Sequence, residues 1–168
     1  MLKIRPATEK DTLAITTINV LGWKQGYSGL MPNSILDAMV VNEKRIERMK
    51  EVISSAEICL VAEDESKVVG FLTGGKTRNK DIPYPYEIYV FYVHPDHWRA
   101  GIGTALMQAF KKKIKGAPFG VYMLDGNERA LNFYQKMGGI RCPKFDCDTE
   151  INHTMIHDIF LKFEGEND

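Results

Sequence analysis

The segment His94-Pro95-Asp96-His97-Trp98-Arg99-Ala100-Gly101-Ile102-Gly103-Thr104 decides how the rest of the chain is read. Before it, Glu87–Val93 carries β-branched and aromatic residues without a breaker, as a buried strand does. After it, Ile102, Leu106, Ala109, Phe110 and Ile114 recur at helical spacing and line one apolar face. A strand therefore runs through a loop with two glycines and directly into an amphipathic helix. The first amides of a helix lack partners and carry the positive end of its dipole, so such a loop suits a diphosphate. Glycine also lets a ligand approach where a Cβ would block it. The same glycines would serve a helix packed tightly on its strand, and the pattern alone leaves both readings open. A dinucleotide-binding fingerprint fails here. Its third glycine would fall on Leu106, and the loop lies past mid-chain instead of after a first strand.

Outward from this segment the pattern is mixed. Leu2 and Ile4 alternate with Lys3 and Arg5 as a short strand. Thr8-Glu9-Lys10-Asp11 predicts a helix start with Thr8 as N-cap, and Ala14, Ile18 and Leu21 predict its apolar stripe. A loop through Gly29 and Pro32 leads to a second helix capped by Asn42, with Ile46, Met49 and Ile53 inward. Strands are predicted at Ile58–Glu63 and Lys67–Gly74 around the turn Asp64-Glu65-Ser66. Phe119–Leu124 predicts a strand and Asn127–Met137 a helix ended by Gly138-Gly139. Two more strands are expected near Ile140–Phe145 and Thr154–Phe163. The order βααβββαβαββ predicts an α/β fold, a mixed sheet with helices on both faces. With no linker or repeat, residues 1–168 read as one domain.

Gly70-Phe71-Leu72-Thr73-Gly74-Gly75-Lys76-Thr77 matches the phosphate-binding P-loop pattern letter for letter. That motif works only if Lys76 and Thr77 open a helix. Pro83, Pro85 and a lack of apolar periodicity after Thr77 argue against one, so a nucleotide hydrolase stands as the runner-up enzyme class.

Bulk properties are those of an ordinary globular protein: 168 residues, 44% hydrophobic, 26% charged. The formal net charge of +0 offers no basic footprint for nucleic acid or an anionic membrane. Cys59, Cys142 and Cys147 cannot all pair within one chain, and their spacing is neither a zinc nor a redox pattern. Reduced thiols, no metal and a cytoplasmic location are expected. The N-terminus Met1–Pro6 is too short and charged for a signal peptide, and no apolar run reaches membrane-spanning length.

Two separated motifs resemble those of the GCN5-related N-acetyltransferases (GNAT). One is Val93-x-Pro95 followed by Trp98-Arg99-Ala100-Gly101-Ile102-Gly103, similar to that family's Q/R-x-x-G-x-G/A. The other is Asn127-Glu128-Arg129-Ala130-Leu131-Asn132-Phe133-Tyr134, an asparagine opening a helix with alanine and tyrosine downstream. Ile4-Arg5-Pro6-Ala7-Thr8 with Asp11, and Val68-Val69-Gly70-Phe71, are similar to the family's opening and third strand. The resemblance extends to about Gly139. One departure stands out: the motif's first position, usually Gln or Arg, is Trp98.

The resemblance implies a mostly antiparallel sheet and acetyl-coenzyme A as co-substrate, bound where Glu87–Val93 and Phe119–Leu124 splay apart. Trp98, Arg99, Ala100, Gly101, Ile102, Gly103 and Thr104 would face the pyrophosphate. Backbone groups of Phe91, Tyr92 and Val93, with Asn127, would hold the pantetheine arm. An amine would then attack directly, Tyr134 acting as general acid. On its own spacing, Tyr134 reads as a core aromatic beside Leu131 and Met137, and it is the motif with Asn127 that points to the acid. Glu87 stands where the family often carries a glutamate base, or is a solvated strand end. Trp23 and Tyr27 stand where the family builds its acceptor site, and also suit a core or lid role. Arg99 offers a cation to phosphate or only to solvent. The acceptor expected is a small-molecule or peptidyl amine. A non-catalytic acyl-coenzyme A sensor is the second alternative, and exposed strand edges leave room for a homodimer.

Overall fold

The computed structural model describes residues 1–166. Its elements are β1 (Lys3–Pro6), α1 (Thr12–Gly26), α2 (Asn33–Asp37), α3 (Glu43–Ser55), β2 (Ile58–Asp64), β3 (Lys67–Lys76) and β4 (Tyr86–Val93). There follow α4 (Ile102–Lys113), β5 (Phe119–Leu124), α5 (Glu128–Lys136), β6 (Ile140–Arg141), β7 (Cys147–Ile151) and β8 (Thr154–Phe163). The strands form one sheet in the order β1-β2-β3-β4-β5-β8-β6, with β7 also paired to β8. Every pairing is antiparallel except β4 with β5. The fold is the expected α/β class: a mixed, mostly antiparallel sheet with helices on both faces.

Apolar alternation divides the core between the faces. Ile88, Leu106, Phe110, Val121 and Ile159 pack in the larger cluster beneath α4 and α5. Ile15, Ile18, Met49, Val61 and Phe71 pack in a second, under α1 and α3. Asn42 caps α3 as its sequence predicts, its side chain accepting from the Arg45 amide at 2.9 Å.

Four expectations are corrected. Thr8 is the expected N-cap, but it opens a short 3-10 turn, Glu9–Asp11, ahead of α1, and the Asp11 carboxylate accepts from the Thr8 N–H at 2.8 Å. The helix then buries Ile15, Ile18 and Gly22 in place of a stripe through Ala14 and Leu21. Five-residue α2 is too short to print a period, yet it buries Ile35 and Leu36. The expected strand Ile140–Phe145 shrinks to two residues because Pro143 starts a 3-10 turn there, and Cys147–Ile151 supplies an unexpected strand. The P-loop pattern, by contrast, opens no helix, as Pro83 and Pro85 lead one to expect. Gly70 to Lys76 are all strand, no helix follows Thr77, and the Thr77 hydroxyl donates to the Tyr84 carbonyl.

Candidate active site

The parallel strands β4 and β5 pair only through Tyr86↔Phe119, Glu87↔Gly120 and Ile88↔Val121. Beyond that they part. β4 shifts register against β3 at the same place, with Gly74 opposite Ile88 but Thr73 opposite Val90, so Tyr89 is an extra, bulged residue. The bulge turns Phe91 and Val93 toward the α4 side and Val90 and Tyr92 toward α1. A cleft opens between the ends of the strands, walled by Phe91, Tyr92 and Val93 on one side and by α5 on the other.

The loop before α4 forms the cleft's rim. Gly101 is its N-cap residue, left-handed at φ 79°, with only open space where a Cβ would point. Gly101 is therefore glycine for its backbone conformation and not for packing. Gly103 is the reverse case, since a Cβ there would meet the Phe133 ring at 3.2 Å. Ala105 makes the first intrahelical bond, to the Gly101 carbonyl at 3.0 Å. That leaves the amides of Ile102, Gly103 and Thr104 without intrahelical partners, and all three residues border the cleft. Arg99, also left-handed at φ 66°, and Ala100 are exposed in the turn, and Arg99 borders the cleft. Trp98 is folded back, its indole N–H donating to the Val93 carbonyl at 2.9 Å.

From α5 come Asn127 and Tyr134. The Asn127 side chain caps the helix by accepting from the Ala130 amide at 3.3 Å, and the residue borders the cleft. Tyr134 is 7% exposed, packed against Phe91 and Phe133 yet bordering the cleft. Burial, with a smaller contribution from Tyr27, pushes its phenol well above the ordinary value. Tyr134 is thus both things its spacing allowed, a core aromatic and a protonated hydroxyl at the cleft.

On the opposite side of the sheet, Gly22 lets α1 lie against β4: a Cβ there would come within 2.4 Å of the Tyr92 ring. The Tyr92 hydroxyl lies 3.0 Å from that of Tyr27, which stacks edge-on with Trp23 at 4.9 Å. Trp23 and Tyr27 pack against a third apolar cluster that includes Met31, Leu36, Leu124 and Ile156. Asp158 of β8 lies opposite Leu124 in register, which puts it on this same face, although it does not itself border the cleft. Desolvation raises the Asp158 carboxyl above its ordinary range. The phenols of Tyr27 and Tyr92 are raised by burial first, with the Asp158 charge adding to both.

Glu87 is not at a solvated strand end. It is 2% exposed and does not border the cleft. Its carboxylate accepts from the Arg78 backbone at 3.2 Å and guanidinium at 2.6 Å, and Arg78 in turn lies over the Tyr89 ring at 4.2 Å. The structure thus gathers every predicted cofactor residue except exposed Ala100 around one cleft, places Trp23 and Tyr27 behind it, and sets Glu87 apart.

Asp158 and Arg129 carry no role in the sequence reading. Asp158 stands alone in an apolar alternation, and only the register reveals its neighbours. Arg129 could have been noticed as a cation in the first turn of a helix, where the dipole disfavours it.

The acetyltransferase (GNAT) family pattern matches residues 28–139, about two-thirds of the chain. The chain belongs to the GNAT acetyltransferase family. Among its relatives, the uncharacterized N-acetyltransferase YuaI of Bacillus subtilis is 27% identical over 119 residues. That match covers 71% of this chain and 64% of YuaI, so the chain spans somewhat under two thirds of that relative. An acetyltransferase of Sodalis glossinidius is 28% identical over 99 residues, 57% of this chain and 66% of its own. Solved structures share the GNAT fold. PaiA N-acetyltransferase from Thermoplasma acidophilum, in complex with coenzyme A, superposes with TM-score 0.75 at 21% identity, covering 98% and 99% of the two chains. YncA from Salmonella typhimurium, a putative acetyltransferase with acetyl-coenzyme A, gives 0.71 at 18% identity, covering 100% and 96%. Among the described residues no helix is long and apolar enough to cross a membrane, and no group of acidic, His or Cys residues could hold a metal ion.

Proposed function

We propose that this GNAT chain is an acetyl-coenzyme A-dependent N-acetyltransferase that acylates an amine by direct attack. The cleft between β4 and β5 carries the proposal. Among the described residues it is bordered by Arg99, Arg129 and Lys136 and by no carboxylate, in a chain whose formal net charge is zero. Added to the three unpartnered amides of α4, this is a site for a polyanion with an apolar arm. The residues fit coenzyme A. The rim meets its phosphates, and the free edge of β4 beyond the bulge offers backbone groups to the pantetheine.

Bound acetyl-coenzyme A supplies the activated acyl group. The chain's own residues supply position and protons. Backbone N–H groups of β4 near Phe91 donate to the acyl oxygen as negative charge gathers there. Tyr134 donates to the departing sulfur from a hydroxyl that stays protonated across the neutral range. The amine enters from the Tyr27–Tyr92 side, and Asp158 accepts its proton, directly or through water. Glu87 serves the fold in this scheme, since its lone pairs are committed to Arg78. Holding amine and thioester in line supplies much of the remaining rate.

Thermal unfolding tests the cofactor assignment. Acetyl-coenzyme A at 100 times its Kd should add about 2.7 kcal/mol of stability and a measurable rise in Tm. ATP and GTP at the same concentration should add little. Stabilisation by ATP that is lost in Lys76→Ala would overturn the assignment.

A further inference from the structure

The Trp98 departure has a structural counterpart on α5. The guanidinium of Arg129 sits 3.3 Å from the centre of the Trp98 ring. That ring is itself pinned by its N–H to the last residue of β4. Among the described residues no carboxylate holds Arg129, and burial acts on its charge in the direction that lowers its pKa. It is also the second residue of α5, where the helix dipole opposes a cation. This cation stands at a helix N-terminus on the cleft wall, with no carboxylate partner among the described residues, and the indole face is what stabilises it there. Among the described residues its planar donors have no hydrogen-bond partner, and Arg129 lines the same cleft as Ile102, Gly103 and Thr104, whose amides are free.

We infer that Trp98 and Arg129 form a phosphate clamp that replaces the side chain missing from the first position of the glycine motif. The indole is a platform and Arg129 is the cation, delivered from α5 instead of from the loop. This rests on the coenzyme A reading above and adds a residue pair to it. Arg is suited to the role because its fork can engage two phosphate oxygens at once, where Lys offers a point charge. The ligand chemistry is a phosphate group of coenzyme A, from either the pyrophosphate or the ribose 3′-phosphate. Closing α5 onto the α4 rim through one anion would also hold the two walls of the cleft together around the cofactor.

Calorimetric titration of the full chain with coenzyme A and with dephospho-coenzyme A tests the clamp. Arg129→Gln should weaken coenzyme A binding about 10- to 100-fold, the range of a charged hydrogen bond lost. Arg129→Lys should recover only part of it. Trp98→Leu should weaken binding several-fold, and should add almost nothing in an Arg129→Gln background, because the platform acts only through the cation. If the clamp holds the 3′-phosphate, the Arg129→Gln loss disappears with dephospho-coenzyme A. If it holds the pyrophosphate, the loss persists. Folded Arg129→Gln protein with wild-type affinity for both ligands would overturn the clamp and leave the family cleft standing. So would full additivity of the Trp98 and Arg129 effects. A wild-type chain that binds neither ligand would overturn the underlying coenzyme A reading as well.

Discussion

Tyr134→Phe should lower turnover about 100-fold with little change in acetyl-coenzyme A affinity. Positioned acids contribute about 10²–10⁴-fold, and the burial of Tyr134 places it at the lower end. Its phenol is raised by burial, whereas an ordinary thiol has a pKa of about 8.5. Full proton transfer to the leaving sulfur is therefore uphill, and the hydroxyl works mainly as a hydrogen-bond donor while charge builds. Such an interaction is stronger in the transition state than in the ground state, so it should appear in kcat and not in binding. The substitution keeps the ring that packs on Phe91 and Phe133, which keeps the cleft wall in place. Steady-state rates and cofactor titration on the same folded protein make the check. Full activity in the variant would remove Tyr134 from the chemistry.

Asp158→Asn is expected to lower kcat/KM for the amine by about 100-fold at neutral pH, the lower part of the general-base range. The stability effect should run the other way. A carboxyl raised by desolvation contributes stability that is present below its unfolded pKa and lost as pH rises through the folded one. At neutral pH the charged form is thus a cost to the native state, and Asn relieves it. Loss of activity with equal or greater Tm separates a functional carboxylate from a structural one. In wild type, kcat/KM should rise with pH through the acidic range as Asp158 loses its proton, and the variant should lack that limb. The neighbouring groups are Tyr27 and Tyr92, Cys147 on β7, and His157. Burial or a desolvating wall keeps the first three protonated there, so among these groups only His157 adds a second limb, and deprotonation of the substrate ammonium adds a rise at higher pH in wild type and variant alike. Glu87→Gln should instead disturb the Arg78 pair and lower Tm. A Glu87→Gln variant with normal stability and a lost pH limb would transfer the base role to Glu87.

The sequence made the cofactor side of this site readable because that side is local. One loop and one helix start hold most of it, and caps, glycines and apolar periods are written within a few residues. Even so, it could not separate Gly101 from Gly103. The first is fixed by its own φ, which sequence can suggest, and the second by contact with Phe133 thirty residues away. The acceptor side was less legible because it is assembled across strands. Asp158 becomes a neighbour of Tyr27 only through the β5–β8 register, and Glu87 becomes an ion-pair partner only when the β3–β4 loop folds Arg78 back. Of the C-terminal strands, Thr154–Phe163 is read correctly from its apolar residues, and the strand before it is not, for a similar reason. Cys147–Ile151 is largely exposed and polar, so no apolar alternation marks it, and its pairing to β8 defines it.

Release of free thiol from acetyl-coenzyme A across a panel of amines measures amine-dependent cleavage of the thioester directly. At least one amine should drive thiol release in step with its own acetylation, with no release beyond background hydrolysis when the amine is omitted. Tight coenzyme A binding without amine-dependent release for any member of a broad panel would contradict the enzyme reading and favour a non-catalytic acyl-coenzyme A sensor.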